Sequence, residues 1–306
     1  MRVQPAGEID LRVALEILLR AVEPQQRERQ IADALRERSI AGLSLDGLLL
    51  AARAGAPVGV ILFVIQPDGC GFVWPPVVAT QHDGETVADA LLQAVTGRLD
   101  GAGAWIGQSL LDPGRPDDEA RLTRNGFARL TQLDYLQRAL SPSLPEDEQR
   151  LQVVRADPTA DERRLGELIE RTYDRSQDCP GLTGLRTGRQ AVAGHRTTGV
   201  LLPNGWFILR ENGRDVGVLV LADQPDQHAW ELVYMGVVPE ARGRGFGEEI
   251  VRLALREAQG SNRDWLLLAV DRRNGPAQRV YQSYGFKAFD SKVVFVRPGH
   301  GRTPAG

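Results

Sequence analysis

The stretch RGRGFG, residues 242–247, sets three glycines among two arginines and a phenylalanine, just ahead of a helical pattern. These residue types at this spacing suit an anion. A helix N-terminus carries unpaired N–H groups and a partial positive charge. Glycines let the backbone approach a ligand closely and take positive φ, so that successive N–H groups converge on one oxygen-rich group. Arg242 and Arg244 add cationic reach. The implied chemistry is phosphate binding, and the spacing narrows it. A nucleotide-triphosphate loop would end in Gly-Lys-Ser/Thr, which is absent here. A dinucleotide fingerprint would read G-x-G-x-x-G, whereas the sequence reads G-x-G-x-G; Asp271 lies where a ribose ligand could sit, but the spacing and the preceding PEA count against it. Another pyrophosphate and a glycine-rich turn without ligand both stay open.

Particular elements must hold this loop. HAWELVYMGVVP (228–239) reads as a strand running into it, and EEIVRLALREAQ (248–259) as the amphipathic helix leaving it. DWLLLAV (264–270) is a short apolar run of buried-strand type. RNGPAQRVYQSYGF then places Ala277, Val280, Tyr281 and Tyr284 at helical spacing, with Pro276 suited to a first turn and Gly285 to a stop. KVVFVRP reads as a last strand. Upstream, LQVVRA is strand-like and ADERRLGELIERTY is an amphipathic helix. WFILREN and DVGVLVLAD form a hairpin around NGRD.

The same order occurs earlier. AWIGQSLL (104–111), the acidic-start helix RPDDEARLTRNGF and ARLTQLDYLQRAL (128–140) repeat strand, helix, Gly-Phe, strand, with the Gly-Phe pairs at 126–127 and 285–286. LLLAARAGAPVGVILFVIQ and GFVWPPVVAT supply a hairpin and strand before them. SPSLPEDEQR (141–150) is polar and Pro-rich, as a linker would be. The predicted organisation is two related domains, 1–142 and 150–299, joined near residue 145. With 306 residues, the chain is long enough for both.

The second half resembles the GNAT N-acetyltransferase superfamily. The family pattern Arg/Gln-x-x-Gly-x-Gly/Ala is carried by Arg242, Gly245 and Gly247 after a VVP strand end. The pattern Asn-x-x-Ala-x-x-x-Tyr-x-x-x-Gly-Phe is carried by Asn274, Ala277, Tyr281, Gly285 and Phe286. The likeness covers roughly 151–298; the first half shares only element order and the Gly-Phe ending. The resemblance implies an α/β (α+β) fold of two GNAT-like domains, each a mixed, mostly antiparallel central sheet flanked by helices, with a splayed parallel strand pair. It implies acetyl-coenzyme A as co-substrate and no metal. The pyrophosphate would lie on the loop of Arg242, Gly243, Arg244, Gly245, Phe246, Gly247 and Glu248. The backbone of Met235, Gly236 and Val237 would pair with the pantetheine arm like an added strand. Asn274, with Ala277 beside it, would meet the cofactor near that arm. In the first half, Gln81, Gly84 and Thr86 mimic the loop motif without its last glycine. Counting back from Gly126 puts Leu122, Asp118 and Arg115 where Tyr281, Ala277 and Asn274 stand, so this half reads as a degenerate copy.

The implied reaction is direct attack of a primary amine on a thioester. Tyr281 stands where the family places the acid that protonates the departing thiolate. Glu231, four residues before Met235 and so on its face by period two, is the candidate base, directly or through water. Glu240 and Asp271 are weaker candidates; Asp271 suits the turn before Asn274. The acceptor, a small-molecule or peptide amine, would meet the varied segment 172–186. Cys179 has no histidine near it in sequence and reads as inert. A non-catalytic acyl-coenzyme A sensor or scaffold would share the glycine loop. Bulk composition fits an ordinary globular chain: 42% hydrophobic, 25% charged, net charge −3. It predicts no nucleic-acid partner and no membrane span. Acidic residues in the N-terminal apolar stretch argue against a signal peptide. Cys70 and Cys179 stand far apart and the four histidines are scattered, so a reduced, cytoplasmic protein without a metal cluster is expected.

Overall fold

The computed structural model describes residues 1–8, 10–40, 43–79, 83–140 and 149–300. Gln81 and most of the expected linker, 141–148, lie outside the described residues. The chain forms two compact units. One comprises Met1–Arg129 with the segment from Val294; the other comprises Leu130–Val293.

In the second unit the sheet runs in the order Gln152–Arg155, Val200–Glu211, Arg214–Gln224, Ala229–Val237, Trp265–Asp271, Ala128–Ala139. Every neighbouring pair is antiparallel except Ala229–Val237 with Trp265–Asp271. The inner strands are covered on both faces, which explains their unbroken apolar runs: Trp206, Phe207, Ile208 and Leu209, then Val218, Leu219, Val220 and Leu221, are all buried. Asn212 and Gly213, both at positive φ, turn the central hairpin. Helices Glu162–Tyr173 and Gly188–Arg196 pack together. Phe246–Gln259 packs with Gly275–Ser283. The helix Gly188–Arg196 is absent from the sequence reading. Its signal was a capping box, in which Thr187 caps Gln190 and the Gln190 side chain returns to the Thr187 N–H.

The parallel pair closes over four positions only, from Ala229 opposite Trp265 to Leu232 opposite Leu268. At that point the ladder on the other edge slips. Leu232 faces Leu221 and Tyr234 faces Val220, which leaves Val233 as an extra residue. A bulge of this kind bends its strand and ends regular pairing. From Val233 onward the strand is paired on its Arg214–Gln224 side alone, and Ala269, Val270 and Asp271 are paired only with Tyr135, Asp134 and Leu133. The sheet is open between the two.

The first unit repeats the order: Arg2–Pro5, Leu48–Arg53, Ala56–Ile65, Cys70–Val73, Ile106–Leu111, with one parallel pair, Cys70–Val73 with Ile106–Leu111. Helices Leu11–Leu18 and Pro24–Glu37 bury Leu15 and Ile31 against Leu48, Leu50, Val60 and Leu62. The compact units do not follow chain order at two strands. Residues 130–139, read as the end of the first half, complete the second unit's sheet beside Trp265–Asp271. The last part of Lys287–Pro298 joins the first unit beside Ile106–Leu111, where Arg297 grips Asp100 through two bonds of 2.7 and 2.8 Å.

Both Gly-Phe pairs close a helix in the same way. Gly126 and Gly285 have φ of +85° and +81°. Phe127 N–H donates to Leu122 O and Phe286 N–H to Tyr281 O, and both phenylalanines are buried. A Cβ at Gly285 would find space but not a relaxed backbone. Gly285→Ala is therefore expected to lower the unfolding free energy by about 1–2 kcal/mol, read from the urea midpoint.

Candidate active site

The loop entering Phe246–Gln259 is shaped by two left-handed glycines, Gly243 at φ +73° and Gly245 at φ +82°. The first N–H after them with a main-chain acceptor is that of Glu249, bonded to Gly245 O. The N–H groups of Gly243, Arg244, Gly245, Phe246, Gly247 and Glu248 have no main-chain acceptor among the described residues. Six donors in sequence stand at the positive end of a 14-residue helix, an arrangement that favours negative charge. Phe246 is buried, with the Arg150 and Arg244 guanidinium groups 5.0 and 4.8 Å from its ring.

The arginines of this loop do not face an anion. Arg242 donates from Nε to Val237 O (3.0 Å), from Nη1 to Asp174 O (2.8 Å) and Arg175 O (3.1 Å), and from Nη2 to Thr172 O (2.8 Å). These are carbonyls at the end of helix Glu162–Tyr173 and of the strand leading into the loop. Those carbonyls lack intrahelical partners, and a cation there also complements the helix dipole. Arg244 forms a two-pronged pair with Glu211. The donors of the Arg242 side chain are thus committed to the scaffold, while the loop N–H groups are left without main-chain acceptors among the described residues.

The bulge also overturns the expected face of Glu231. Cross-strand partners share a face, so Glu231, opposite Ala222, lies with Tyr234, opposite Val220; Met235, opposite Leu219, lies on the other face. Val233 shifts the period by one residue. Met235 approaches Gly247 at the loop helix. Tyr234 points to the opposite side, where its hydroxyl meets Thr172 Oγ1 at 2.6 Å and its ring stacks on His195 at 5.0 Å. Gly236 is on that side too, and the close approach of Thr172 leaves no room for a Cβ. Glu231 accepts a hydrogen bond from Gln224 Nε2. Burial pushes its carboxyl above the ordinary glutamate value, opposed by that bond. His195 falls to about 3, through burial and then the nearby Arg186 charge, and is neutral at pH 7.

Tyr281, on helix Gly275–Ser283, is 5% exposed and packs edge-on against Phe286 at 5.7 Å. Its hydroxyl has no hydrogen-bond partner among the described residues. Burial, and after it the charge of Asp178, raise it above the usual tyrosine range. Asn274 caps the same helix: its Oδ1 accepts the Ala277 N–H at 3.3 Å. Asp271 is fully buried and accepts from Thr131 Oγ1 (2.7 Å), the Arg273 N–H (2.8 Å) and the Cys179 N–H (3.0 Å). It is an ordering residue, as its place in the turn suggested. Burial pushes the Cys179 thiol far above its usual value, which leaves it unreactive. Glu240 is exposed and paired with Arg171 at 2.6 Å. Asp178 comes close enough to act on the Tyr281 hydroxyl only through folding; nothing in their spacing announced it. In the first unit, Leu122 is core, while Asp118 is paired with Arg115 (2.9 Å) and Arg121 (3.1 Å).

Arg242→Met removes four bonds from a charged donor to main-chain carbonyls. It should destabilise the second unit by about 2–3 kcal/mol in urea unfolding, a drop that a phosphate ligand on a solvated loop would not produce.

Residues 172–286 match the family model described as Acetyltransferase (GNAT) family. A mycothiol acetyltransferase of Thermobispora bispora is 29% identical over 271 residues, covering 81% of this chain and 88% of the relative. Two others of that name are matched over shorter stretches, spanning 30% and 42% of their own lengths. A GCN5-related N-acetyltransferase of Sphaerobacter thermophilus superposes with a TM-score of 0.62 at 18% identity, over 99% of this chain and 98% of that one. A tandem GNAT protein from the clavulanic acid biosynthesis pathway does so with 0.53 at 14%, over 97% and 98%. At those identities the likeness is one of fold. No helix among the described residues is long and apolar enough to cross a membrane, and no group of three or more metal-ligating side chains occurs among them. The loop, the open strand pair and the helix-borne tyrosine all lie within the stretch 172–286 that is similar to the GNAT acetyltransferase family.

Proposed function

We propose that the second unit transfers an acetyl group from acetyl-coenzyme A to the primary amine of a small molecule. The observation that carries this reading is the opening of the parallel pair after Leu232, in the strand that leads into the loop of six unpartnered N–H groups. A linear chain carrying a pyrophosphate suits such a slot: N–H groups for the anion, and a strand edge at Met235, Gly236 and Val237 for the amide-bearing arm. The relatives named mycothiol acetyltransferase support a small-molecule acceptor. When bound, acetyl-coenzyme A supplies an activated thioester carbonyl.

The residues have separate tasks. Glu231, or a water held by it, takes the proton that the amine nitrogen sheds as it bonds to the carbonyl carbon. Tyr281 gives its proton to the sulfur as the carbon–sulfur bond breaks, so the products are an amide and a free thiol. A hydroxyl held above its usual range stays protonated at neutral pH, as a donor must. A carboxyl held above its usual value sits closer to the working pH of a base. The alternative, an acyl-coenzyme A binder without chemistry, has no need of Tyr281 and Glu231.

Thiol release from acetyl-coenzyme A, measured over a panel of primary amines, tests this. Tyr281→Phe should reduce kcat by roughly 10²–10⁴-fold with cofactor affinity unchanged. Unchanged turnover would remove Tyr281 as the acid; cofactor binding with no thiol release on any amine would leave the binder.

Glu231 acts when deprotonated, so kcat/KM should climb as pH rises through its elevated pKa. Glu231→Gln should abolish that ascending limb in a pH-rate profile. If the limb persists, another group is the base.

A further inference from the structure

The glycine loop gives its own two arginines to the scaffold, so a diphosphate laid on its N–H groups would find no free cation within the motif. It would find a buried anion close by. Glu249, in the first turn of helix Phe246–Gln259, is 4% exposed, and its N–H is bonded to Gly245 O. Its Oε1 accepts the Leu151 N–H at 2.6 Å, while its Oε2 has no hydrogen-bond partner among the described residues. Like charges brought together where little water screens them repel, so this helix end needs a cation beside the carboxylate before it takes a second anion.

Arg150 meets that need from outside the loop. It lies just ahead of strand Gln152–Arg155, and the neighbouring Leu151 peptide is the one that Glu249 anchors, which fixes where its side chain starts. Its Nε lies 3.5 Å from Glu249 Oε2, and its guanidinium 5.0 Å from the centre of the Phe246 ring. Its Nη2 stands 3.1 Å from where a Cβ on Gly245 would be. The guanidinium is thus set against Gly245, Phe246 and Glu249, on a rim where Gly243, Arg244 and Gly245 are all exposed. Its two Nη groups make no hydrogen bond among the described residues, and the side chain is 49% exposed, so they can be reached from solvent. Arg244 shares the Phe246 ring at 4.8 Å, but both of its Nη groups are bound to Glu211.

We propose that Arg150 is a further cofactor-binding residue, whose Nη groups bond the diphosphate of acetyl-coenzyme A on the glycine loop and separate it from the Glu249 carboxylate. A guanidinium presents paired donors in one plane, which match two phosphate oxygens. Glu249 is the positioning residue: one oxygen holds the Leu151 backbone and the other draws the Arg150 Nε. Gly245 then has two reasons to be glycine, its φ of +82° and the guanidinium that a Cβ would crowd. The inference rests on the cofactor half of the acetyl-transfer reading and adds to it a residue that lies outside the loop motif.

The test reads binding first. The full chain is titrated calorimetrically with coenzyme A and with dephospho-coenzyme A, which keeps the diphosphate and lacks the 3′-phosphate. Arg150→Gln should weaken both by about 10-fold, the low end for a hydrogen bond to a charged group because the side chain is half exposed. Arg150→Lys keeps the charge without the fork and should recover part of the loss. In about 1 M salt, where screening sets in within about 3 Å, wild type and Arg150→Gln should converge. A loop that had merely loosened would show the same deficit at every salt concentration, and the unfolding midpoint of each variant reports whether the fold is retained. The proposal is overturned if Arg150→Gln binds coenzyme A as the wild type does, if its deficit ignores salt, if both proteins bind dephospho-coenzyme A equally, or if the wild type binds no coenzyme A. Thiol release with primary amines is a separate readout. Binding that depends on Arg150 without thiol release on any amine removes the transferase reading and leaves the Arg150 site. Turnover with coenzyme A affinity unaffected in Arg150→Gln removes the site and leaves the transferase reading.

Discussion

One extra residue in one strand governs the arrangement of the second unit. Val233 has no partner in the ladder, and from that point the strand Ala229–Val237 leaves its parallel neighbour. Unpaired backbone groups inside a protein are costly, so each freed edge must be satisfied in another way. The Asp271 N–H is met by Asp178, and that bond fixes the following loop. The Met235–Val237 edge lies free of the neighbouring strand, next to a loop that leaves six further N–H groups without main-chain acceptors. The same bulge reverses the parity of the strand. It turns Tyr234 and Glu231 to one face and Met235 to the other, toward the loop helix.

The cations of the glycine loop are committed to the scaffold. Arg242 makes four hydrogen bonds to carbonyls at the end of a helix and the end of a strand, tying both to the glycine turn. Arg244 is neutralised by Glu211. What remains for an anion is the peptide array itself, arranged by two glycines at positive φ. Such donors are fixed by the fold and need no ordering of long side chains when a ligand arrives. A guanidinium held by main-chain carbonyls keeps the array rigid from beneath.

The two halves share strand order, one parallel pair and a Gly-Phe helix stop, and they differ where chemistry is concerned. Leu122 fills the place of Tyr281 with core, and Asp118 is neutralised by two arginines. The strands after the two Gly-Phe stops change places, each completing the sheet of the other unit. The packing of Phe127 and Phe286 explains why the stop survives in both: it closes a helix and fills a core at once.

Much of this was legible in the residues themselves. Apolar runs and turn residues marked the strands, the spacing of Ala277, Val280 and Tyr281 marked the last helix, and glycine spacing marked the anion loop, because these depend on local backbone geometry and on periodicity. The capping box at Thr187 was equally local and simply went unread. Other features could not be read in this way. Which sheet the strands after Gly126 and Gly285 would join, whether Arg242 would meet a phosphate or a helix end, which face Glu231 would share, and that Asp178 would reach Asp271 across 93 positions all depend on long-range pairing. The sequence by itself determined the elements and the place of the glycine turn with its unpaired N–H groups, since neighbouring residues dictate both. Tertiary structure alone decided the partners of the charged side chains and the parity of the central strand, because a single bulge and a few distant hydrogen bonds set them, and neither leaves a periodic trace in the chain.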